Sequence, residues 1–253
     1  MTKLSALVLT KNEEENIAKC LRSLAFCDDV VVIDDYSSDN TLKICEKHGA
    51  RVYKRRLNGD FSSQKNFGLT KCGGEWILSI DADEIVSGEL KKEIIKTVSD
   101  KSLSVKGYYI KRVDSLWGKK IRHSEFGNTL LLRLAKKGAG KWKRRAHEYW
   151  KVEGETEELK SELLHYPHKN MSEFVGNINL FSELHAKAND EENKSSNIFK
   201  ILLWPCGKFI HNLVVKKGIL DSDRAFVASM MMSFHSFLSW SSLWLIQKRR
   251  VGK

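Results

Sequence analysis

Along the first hundred residues, apolar and polar positions switch between two periods. Short β-branched runs at Leu4 to Thr10 (LSALVLT), Asp29 to Asp34 (DVVVID), Ala50 to Arg55 and Glu75 to Asp81 (EWILSID) have the length and composition of strands. Between them, apolar residues three and four apart predict helices. The first covers Glu13 to Ala25 with Ile17, Cys20, Leu21 and Leu24 on one stripe; the next two cover Asn40 to His48 and Phe61 to Lys71. Strands and helices alternating at these lengths suit right-handed parallel crossovers, so the expected fold class is α/β with an open, mostly parallel sheet. Ligands of such sheets sit at the carboxyl ends of the strands.

A further helix is expected from Gly88 to Asp100, and then the rhythm changes. The segments KGYYIKRV and NTLLLRLA look like strands without intervening helices, which predicts antiparallel additions to the sheet. Ser172 to Ala188 is helical again, with Phe174, Ile178, Phe181 and Leu184 as its stripe. From about Ile198 the chain is rich in large apolar residues, and Ala225 to Ile246 runs 22 residues without Lys, Arg, Asp or Glu. That length could span a bilayer. Within it, however, His235 and the serines at 229, 233, 236, 239 and 242 recur every three or four positions and form one polar stripe on a helix. The expectation is a helix lying in a membrane interface, with packing in a soluble appendage or oligomer, or a true span, as the alternatives. Pro205 falls where it would break or kink a C-terminal helix.

Composition adds three constraints. A chain of 253 residues with 42% hydrophobic and 30% charged residues is that of a globular protein. The five cysteines are odd in number, scattered and without CxxC spacing, which argues against a disulfide framework or a zinc site and for a reducing cytoplasm. The chain opens directly on a strand-like run, with no secretory leader expected. Net charge is +11, and it is concentrated: residues 101 to 151 hold 15 Lys or Arg against 3 Asp or Glu. Such a patch attracts phosphate, in nucleotide, phosphorylated glycan, nucleic acid or lipid surface.

The candidate chemistry sits at the predicted strand ends. The first strand ends in LTKNEEEN, the second in IDDYSSDNT and the fourth in SIDADE, so parallel strands would deliver three polar clusters to one edge. Asp81 and Asp83 flank one residue just beyond a strand, a spacing that lets carboxylates reach a divalent cation such as Mg²⁺ or Mn²⁺; a solvated turn is the alternative. Asp39 or Thr41 could cap the following helix, whereas Asp34 and Asp35 form a like-charge pair that needs donors, from a base, a ribose or the protein. Lys65 falls near a helix start, where backbone donors and an ammonium favour an anion such as diphosphate; an exposed surface lysine is the alternative.

Thr10-Lys11-Asn12-Glu13, the DDxSxDxT run from Asp34 to Thr41, Lys65-Asn66-x-Gly68 and Asp81-Ala82-Asp83, in this order and spacing, resemble the inverting, GT-A-fold glycosyltransferases of family 2. TKNEEENI, QKNFGL and SIDADE further resemble the bacterial subgroup that adds a sugar to the lipopolysaccharide inner core. VKKGILDSDRAF is similar to a glycine-leucine-aspartate segment near that subgroup's C-terminus. The resemblance implies a GT-A domain over 1–190, Rossmann-like with helices on both faces, split into a nucleotide-sugar half (1–100) and an acceptor half (101–190). A C-terminal helical appendage follows over 191–253. It further implies that Thr10, Glu13 and Asp35 hold the base and ribose, Lys65 the diphosphate region, Asp81 the ribose or donor sugar, and Asp83 the metal. His165, or His168, would complete the metal shell. The implied donor is a nucleotide-diphosphate sugar, UDP-linked in the first instance. The acceptor is a phosphorylated glycolipid, met by a peripheral protein at the inner face of the bacterial inner membrane, with no nucleic acid expected.

Inverting transfer needs a base for the acceptor hydroxyl, and Glu148 in RRAHEYW is the candidate, since Lys143, Arg144, Arg145 and His147 would keep it ionised; a structural ion pair is the alternative. Two other classes compete. A sugar nucleotidyltransferase would carry a glycine-rich loop after the first strand, where this chain has TKNEEEN. A non-enzymatic basic module could bind nucleic acid or anionic membrane through residues 101 to 151. There Tyr108, Tyr109, Trp117, Phe126, Trp142, Tyr149 and Trp150 could stack bases or line a sugar site.

Overall fold

A computed structural model of the chain describes residues 3–100, 102, 104–127, 129–167, 170–221 and 223–251. They form two compact units, Met1–Arg112 with Leu130–His165, and Val113–Thr129 with Tyr166–Lys253.

The chain order opens with β1 (Leu4–Thr10), α1 (Ile17–Ser23), β2 (Asp29–Asp34), α2 (Thr41–Lys47), β3 (Arg51–Lys54), α3 (Phe61–Lys71) and β4 (Trp76–Asp81). The strands β3, β2, β1 and β4 lie side by side and all pair in parallel. A central parallel strand is covered on both faces, and its side chains divide with period two. Leu4, Ala6 and Val8 of β1 join Ile17, Leu21 and Leu24 of the α1 region in one core cluster, while Leu7 joins Val31, Ile33 and Ile77 in the other.

Next come β5 (Glu84–Val86), α4 (Gly88–Ser99), β6 (Gly107–Leu116), β7 (Lys119–Lys120), a one-turn α5 (Ser124–Gly127), β8 (Thr129–Lys136), β9 (Gly140–Lys143), β10 (Tyr149–Val152) and β11 (Thr156–His165). The sheet continues from β4 through β8, β6 and β11 to β5. β8 is antiparallel to β4, as the changed rhythm predicts, and β11 is antiparallel to β5. Asn128, with which the predicted strand began, lies outside the described residues. The expected α/β class is therefore the observed one, with helices on both faces of a mixed, mostly parallel sheet.

Helix α1 starts four residues later than its periodicity suggests. The Glu13 amide donates to Thr41 Oγ1 at 2.8 Å and the Glu14 amide to Asp39 at 3.1 Å, while Asn12 takes a left-handed φ of 54°. The left-handed Asn12 and the side chains of the β2–α2 loop anchor residues 12–14 over the strand ends, and the helix proper begins at Ile17.

The second unit contains α6 (Met171–Glu191), α7 (Ile198–Ile210), a π-helical turn (His211–Val215), a 3₁₀ turn (Gly218–Asp221) and α8 (Asp223–Val251). Its core gathers Phe174 and Ile178 of α6, Ala228 of α8, and Leu116, Ile121 and Phe126. Pro205 lies inside α7 and does not end it.

Where β4 begins, backbone approaches backbone. A Cβ on Gly74 would lie 2.6 Å from the Ser5 amide nitrogen and 2.8 Å from the Lys3 carbonyl oxygen, whereas one on Gly88 would meet nothing. Gly74→Ala is expected to lower stability by about 1–3 kcal/mol, read as a lower urea midpoint at unchanged m-value, with Gly88→Ala as the neutral control.

Candidate active site

Register places the strand ends on one rim. Thr10 stands opposite Asp34 and Leu9 opposite Asp81, so the polar segments after β1, β2 and β4 leave the sheet at a common edge. Thr10 is buried and its hydroxyl oxygen has no hydrogen-bond partner among the described residues, while its carbonyl accepts the Asp35 amide at 3.0 Å. Glu13 accepts the Asn16 side-chain amide at 2.8 Å. Asp34 and Asp35 find their donors within the protein. Buried Asp34 accepts from the amide and hydroxyl of Ser37, and Asp35 accepts from Lys11 at 2.7 Å and the Leu57 amide at 2.9 Å.

Beyond β4 the turn Asp81-Ala82-Asp83-Glu84 is tied by charge. Arg133 of β8, buried among apolar neighbours, reaches Asp81 at 2.6 Å and Glu84 at 2.5 Å, and Glu84 also accepts the Asp81 amide at 2.9 Å. Arg112 of β6 stands 3.8 Å from Glu84. Burial works to raise the Asp81 carboxyl, yet Arg133, Lys65 and Arg112 together hold it far below the usual carboxylate range. For Glu84, which is wholly enclosed, burial prevails and pushes the carboxyl upward.

Lys65 completes the chain of charges. Asp60 caps α3 by accepting the Ser63 amide at 2.8 Å, and one turn on, the Lys65 side chain is only 2% exposed. Its ammonium lies 3.2 Å from Asp81, 2.7 Å from Glu148 and 4.3 Å from the centre of the Trp142 ring. The surface-lysine alternative is thereby excluded. Glu148 thus stands in an ion pair, as the structural alternative had it, and the cation is Lys65 from a distant helix. The loop before Glu148 is held in an unusual backbone: Arg144 and His147 have φ of 74° and 52°, and the Arg145 carbonyl accepts the Phe61 amide at 3.0 Å. Left-handed non-glycine residues are costly and persist where the surrounding structure imposes them.

Asp83 meets His165. The β5–β11 register sets His165 opposite Glu84, and its Nε2 lies 3.1 Å from Asp83 Oδ2. Burial acts to raise Asp83, but the charge and hydrogen bond of His165 keep its carboxyl lowered. A carboxylate oxygen and an imidazole nitrogen at this separation fit one divalent ion, which would keep its other positions for water and phosphate oxygens. The residues present therefore suit such an ion. His168 lies outside the described residues.

Several aromatic side chains weighed for stacking are core residues. Tyr108, Phe126, Trp142 and Trp150 are buried, with Trp142 and Trp150 stacked at 5.3 Å; Tyr149 is exposed. Missing from the sequence-based site are Arg133, Arg112 and Glu84. Arg133 did leave a signal, a lone charge within the apolar run LLLRLA, because a cation in a buried strand must have an anionic partner.

A parallel-strand rim carrying carboxylates, embedded cations and a carboxylate–imidazole pair defines a GT-A-type transferase of nucleotide-activated sugars. The chain belongs to glycosyl transferase family 2, whose model matches residues 5–153. It is similar to the lipopolysaccharide core biosynthesis glycosyltransferase LpsC of Rhizobium meliloti (strain 1021), 26% identical over 249 residues, covering 95% of this chain and 92% of LpsC. An uncharacterized glycosyltransferase of Rickettsia felis is 43% identical over 95 residues, 37% of this chain and 33% of that protein. Among solved structures, S. aureus TarS 1–349 with UDP-GlcNAc gives a TM-score of 0.53 at 16% identity, covering 99% of this chain and 92% of that one. Glucosyl-3-phosphoglycerate synthase from Mycobacterium tuberculosis, with Mn²⁺, UDP and phosphoglyceric acid, gives 0.50 at 14% identity over 78% and 80%. These two likenesses show the fold. Family membership makes the chain a glycosyltransferase, in place of the nucleotidyltransferase and non-enzymatic readings.

Arg133→Met leaves Asp81 paired with Lys65 alone and Glu84 with only the more distant Arg112, and breaking the buried pairs in this way should cost about 3–5 kcal/mol near neutral pH. In the wild type, the depressed Asp81 carboxyl contributes stability above its unfolded pKa of about 4, lost as pH falls toward the folded value. The variant's weakly paired carboxylates are relieved by protonation. Urea midpoints of the two proteins should therefore converge in acid.

Proposed function

We propose that this transferase moves a sugar, with inversion, from a nucleotide-diphosphate sugar, UDP-linked in the first instance, to a hydroxyl of a phosphorylated glycolipid of the lipopolysaccharide core. The observation that carries the reading is the continuous line Glu148–Lys65–Asp81 beside the Asp83–His165 pair on a single rim. Similarity to LpsC over nearly the whole chain supports the acceptor class, and the UDP-bound neighbours support the donor class. The basic stretch 101–151 supplies cations for acceptor phosphates. We place donor binding in residues 1–100, acceptor binding in 101–190, and peripheral contact with the inner face of the inner membrane in 191–253.

Thr10, Glu13 and Asp35 take the base and ribose, the buried Thr10 hydroxyl being a polar atom that a ligand can satisfy. Asp81, oriented by Arg133, accepts from sugar hydroxyls. Asp83 and His165 hold a Mn²⁺ or Mg²⁺ ion. When bound, that ion supplies positive charge to the departing diphosphate. Glu148 accepts the proton of the acceptor hydroxyl as its oxygen bonds to the anomeric carbon; the bond from that carbon to the diphosphate oxygen breaks, and its electron pair leaves with the nucleoside diphosphate. Lys65 is placed to stabilise the same charge from the protein side.

Glu148→Gln should lower kcat by roughly 10²- to 10⁴-fold with little change in donor KM, because it removes a proton acceptor and keeps the shape. Asp83→Ala should abolish Mn²⁺-dependent release of nucleoside diphosphate. Both are read by following that release from UDP-glucose and UDP-GlcNAc; undiminished turnover in Asp83→Ala would refute the metal assignment.

A further inference from the structure

Helices α7 and α8 are turned inside out by the standards of a protein in water. On α8, the buried residues are mostly small or polar, Ala225, Ala228, Ser229, His235 and Ser239 with Leu243 as the large apolar one, while Phe226, Met230, Phe234, Phe237 and Leu245 are exposed. The hydroxylic stripe is thus the packed one. Helix α7 buries only Ile201 and Pro205 and exposes Ile198, Phe199, Leu202, Leu203, Trp204 and Ile210, with Phe199 at 68%. The stretch Ile198–Val215 is long and apolar enough to cross a bilayer, yet only 11% of it is buried.

The two helices form an antiparallel pair. Trp204 meets Trp240 edge-on at 6.1 Å, the Pro205 carbonyl accepts the Ser233 hydroxyl at 2.7 Å, and Phe209 meets Phe226 at 5.5 Å. These edge contacts make their exposed faces continuous. At the far end of α7 the turns 211–221 carry Val214, Val215, Ile219 and Leu220, the last two 67% exposed. That tip is braced from within: buried Asp221 accepts the backbone amides of Arg122 and His123 and pairs with the His123 ring, and Asn212 donates to Glu125 at 2.8 Å.

We propose that α7, the 211–221 tip and the outward face of α8 lie in the plane of a bilayer surface, seated among its acyl chains and held by anionic phospholipid headgroups. This deepens the membrane location in the reading above and is independent of its sugar chemistry. Small residues inside and large apolar ones outside is how helices pack against each other in lipid, where tails are as apolar as leucine. Charge identifies the headgroup. Within 198–221 the cations are Lys200, Lys208, Lys216 and Lys217, of which Lys208 is paired with Glu125, and the single acid, Asp221, is buried and bonded. A second copy on this face would bring the same lysines to the same rim, like charge against like. A full crossing is disfavoured because α6, packed along α8, carries Glu183, Lys187 and Asp190, the last paired with Arg250 at 2.6 Å.

The test is flotation of the full chain with vesicles of phosphatidylethanolamine and phosphatidylglycerol in equal parts, against vesicles of phosphatidylcholine alone. The wild type should float with the first, and its fluorescence should be quenched by brominated acyl chains in a manner that Trp204→Phe diminishes. The combination Phe199→Ser, Leu203→Ser, Ile219→Ser and Leu220→Ser should lower partitioning at least tenfold, as should Lys216→Glu with Lys217→Glu on anionic vesicles. Melting curves and nucleoside diphosphate release should remain those of the wild type. Wild-type protein that stays in the aqueous fraction, or variants that float equally well, would overturn the proposal. So would a dimer in light scattering that the serine substitutions dissolve without any flotation. Failure here with donor turnover intact leaves the transferase reading standing, and dead Asp83→Ala protein that still floats is the converse.

Discussion

One buried guanidinium decides whether the site can exist. Strand β4 leaves the core and must turn at once through Asp81, Asp83 and Glu84, three carboxylates in four residues. Left to themselves they would repel one another in a poorly solvated place, and the turn would open or the groups would protonate. Arg133 bridges Asp81 and Glu84, Glu84 closes the turn by accepting the Asp81 amide, and Lys65 balances the outer side of Asp81. The cations come from β8 and α3, so the antiparallel half of the sheet and the crossover helix are both required to hold a turn that belongs to neither.

That dependence separates what was legible in the sequence from what was not. Strand ends announce themselves: LSALVLT, DVVVID and EWILSID each stop on polar residues, and parallel pairing then compels a shared edge, which the opposition of Thr10 to Asp34 bears out. Asp83 stands out by its spacing from Asp81 and His165 through the family resemblance, and the structure brings them to 3.1 Å through the β5–β11 register. Periodicity cannot supply the partner of a charge, which depends on register between strands far apart in sequence. Arg133 therefore read as one more member of a basic segment, and the pairing of Lys65 with Glu148, 83 residues away in sequence, left no local trace. Boundaries failed for a related reason: Glu13 and Glu14 are tied through their amides to Thr41 and Asp39, contacts with a loop distant in sequence. Aromatic residues within a basic stretch suggest a ligand surface, but Trp142 and Trp150 face a sheet that needed covering.

The second unit shows a deeper limit of patterning. A two-faced helix reveals itself by period, but period does not say which face is turned inward. In α6 the inward side mixes Phe174, Ile178 and Leu184 with Ser182, Ala186 and Ala188, and the outward side carries Glu183 and Lys187 beside Val175 and Leu180. In α8 the buried positions are mostly small or polar, with Leu243 the large apolar one; the hydroxyls of Ser233 and Ser239 donate to carbonyls, and the phenylalanine rings go outward. Close helix packing favours small side chains at some contacts, as at Ser233 against the Pro205 carbonyl, although Trp240 and Phe226 also meet α7, and this can account for much of the inward stripe. It cannot account for the outward one, since exposing phenylalanine, leucine and tryptophan to water brings no packing gain and opposes the hydrophobic effect. The density of outward rings and aliphatic side chains on the α7–α8 pair is reconciled with stability if that side meets a medium as apolar as itself.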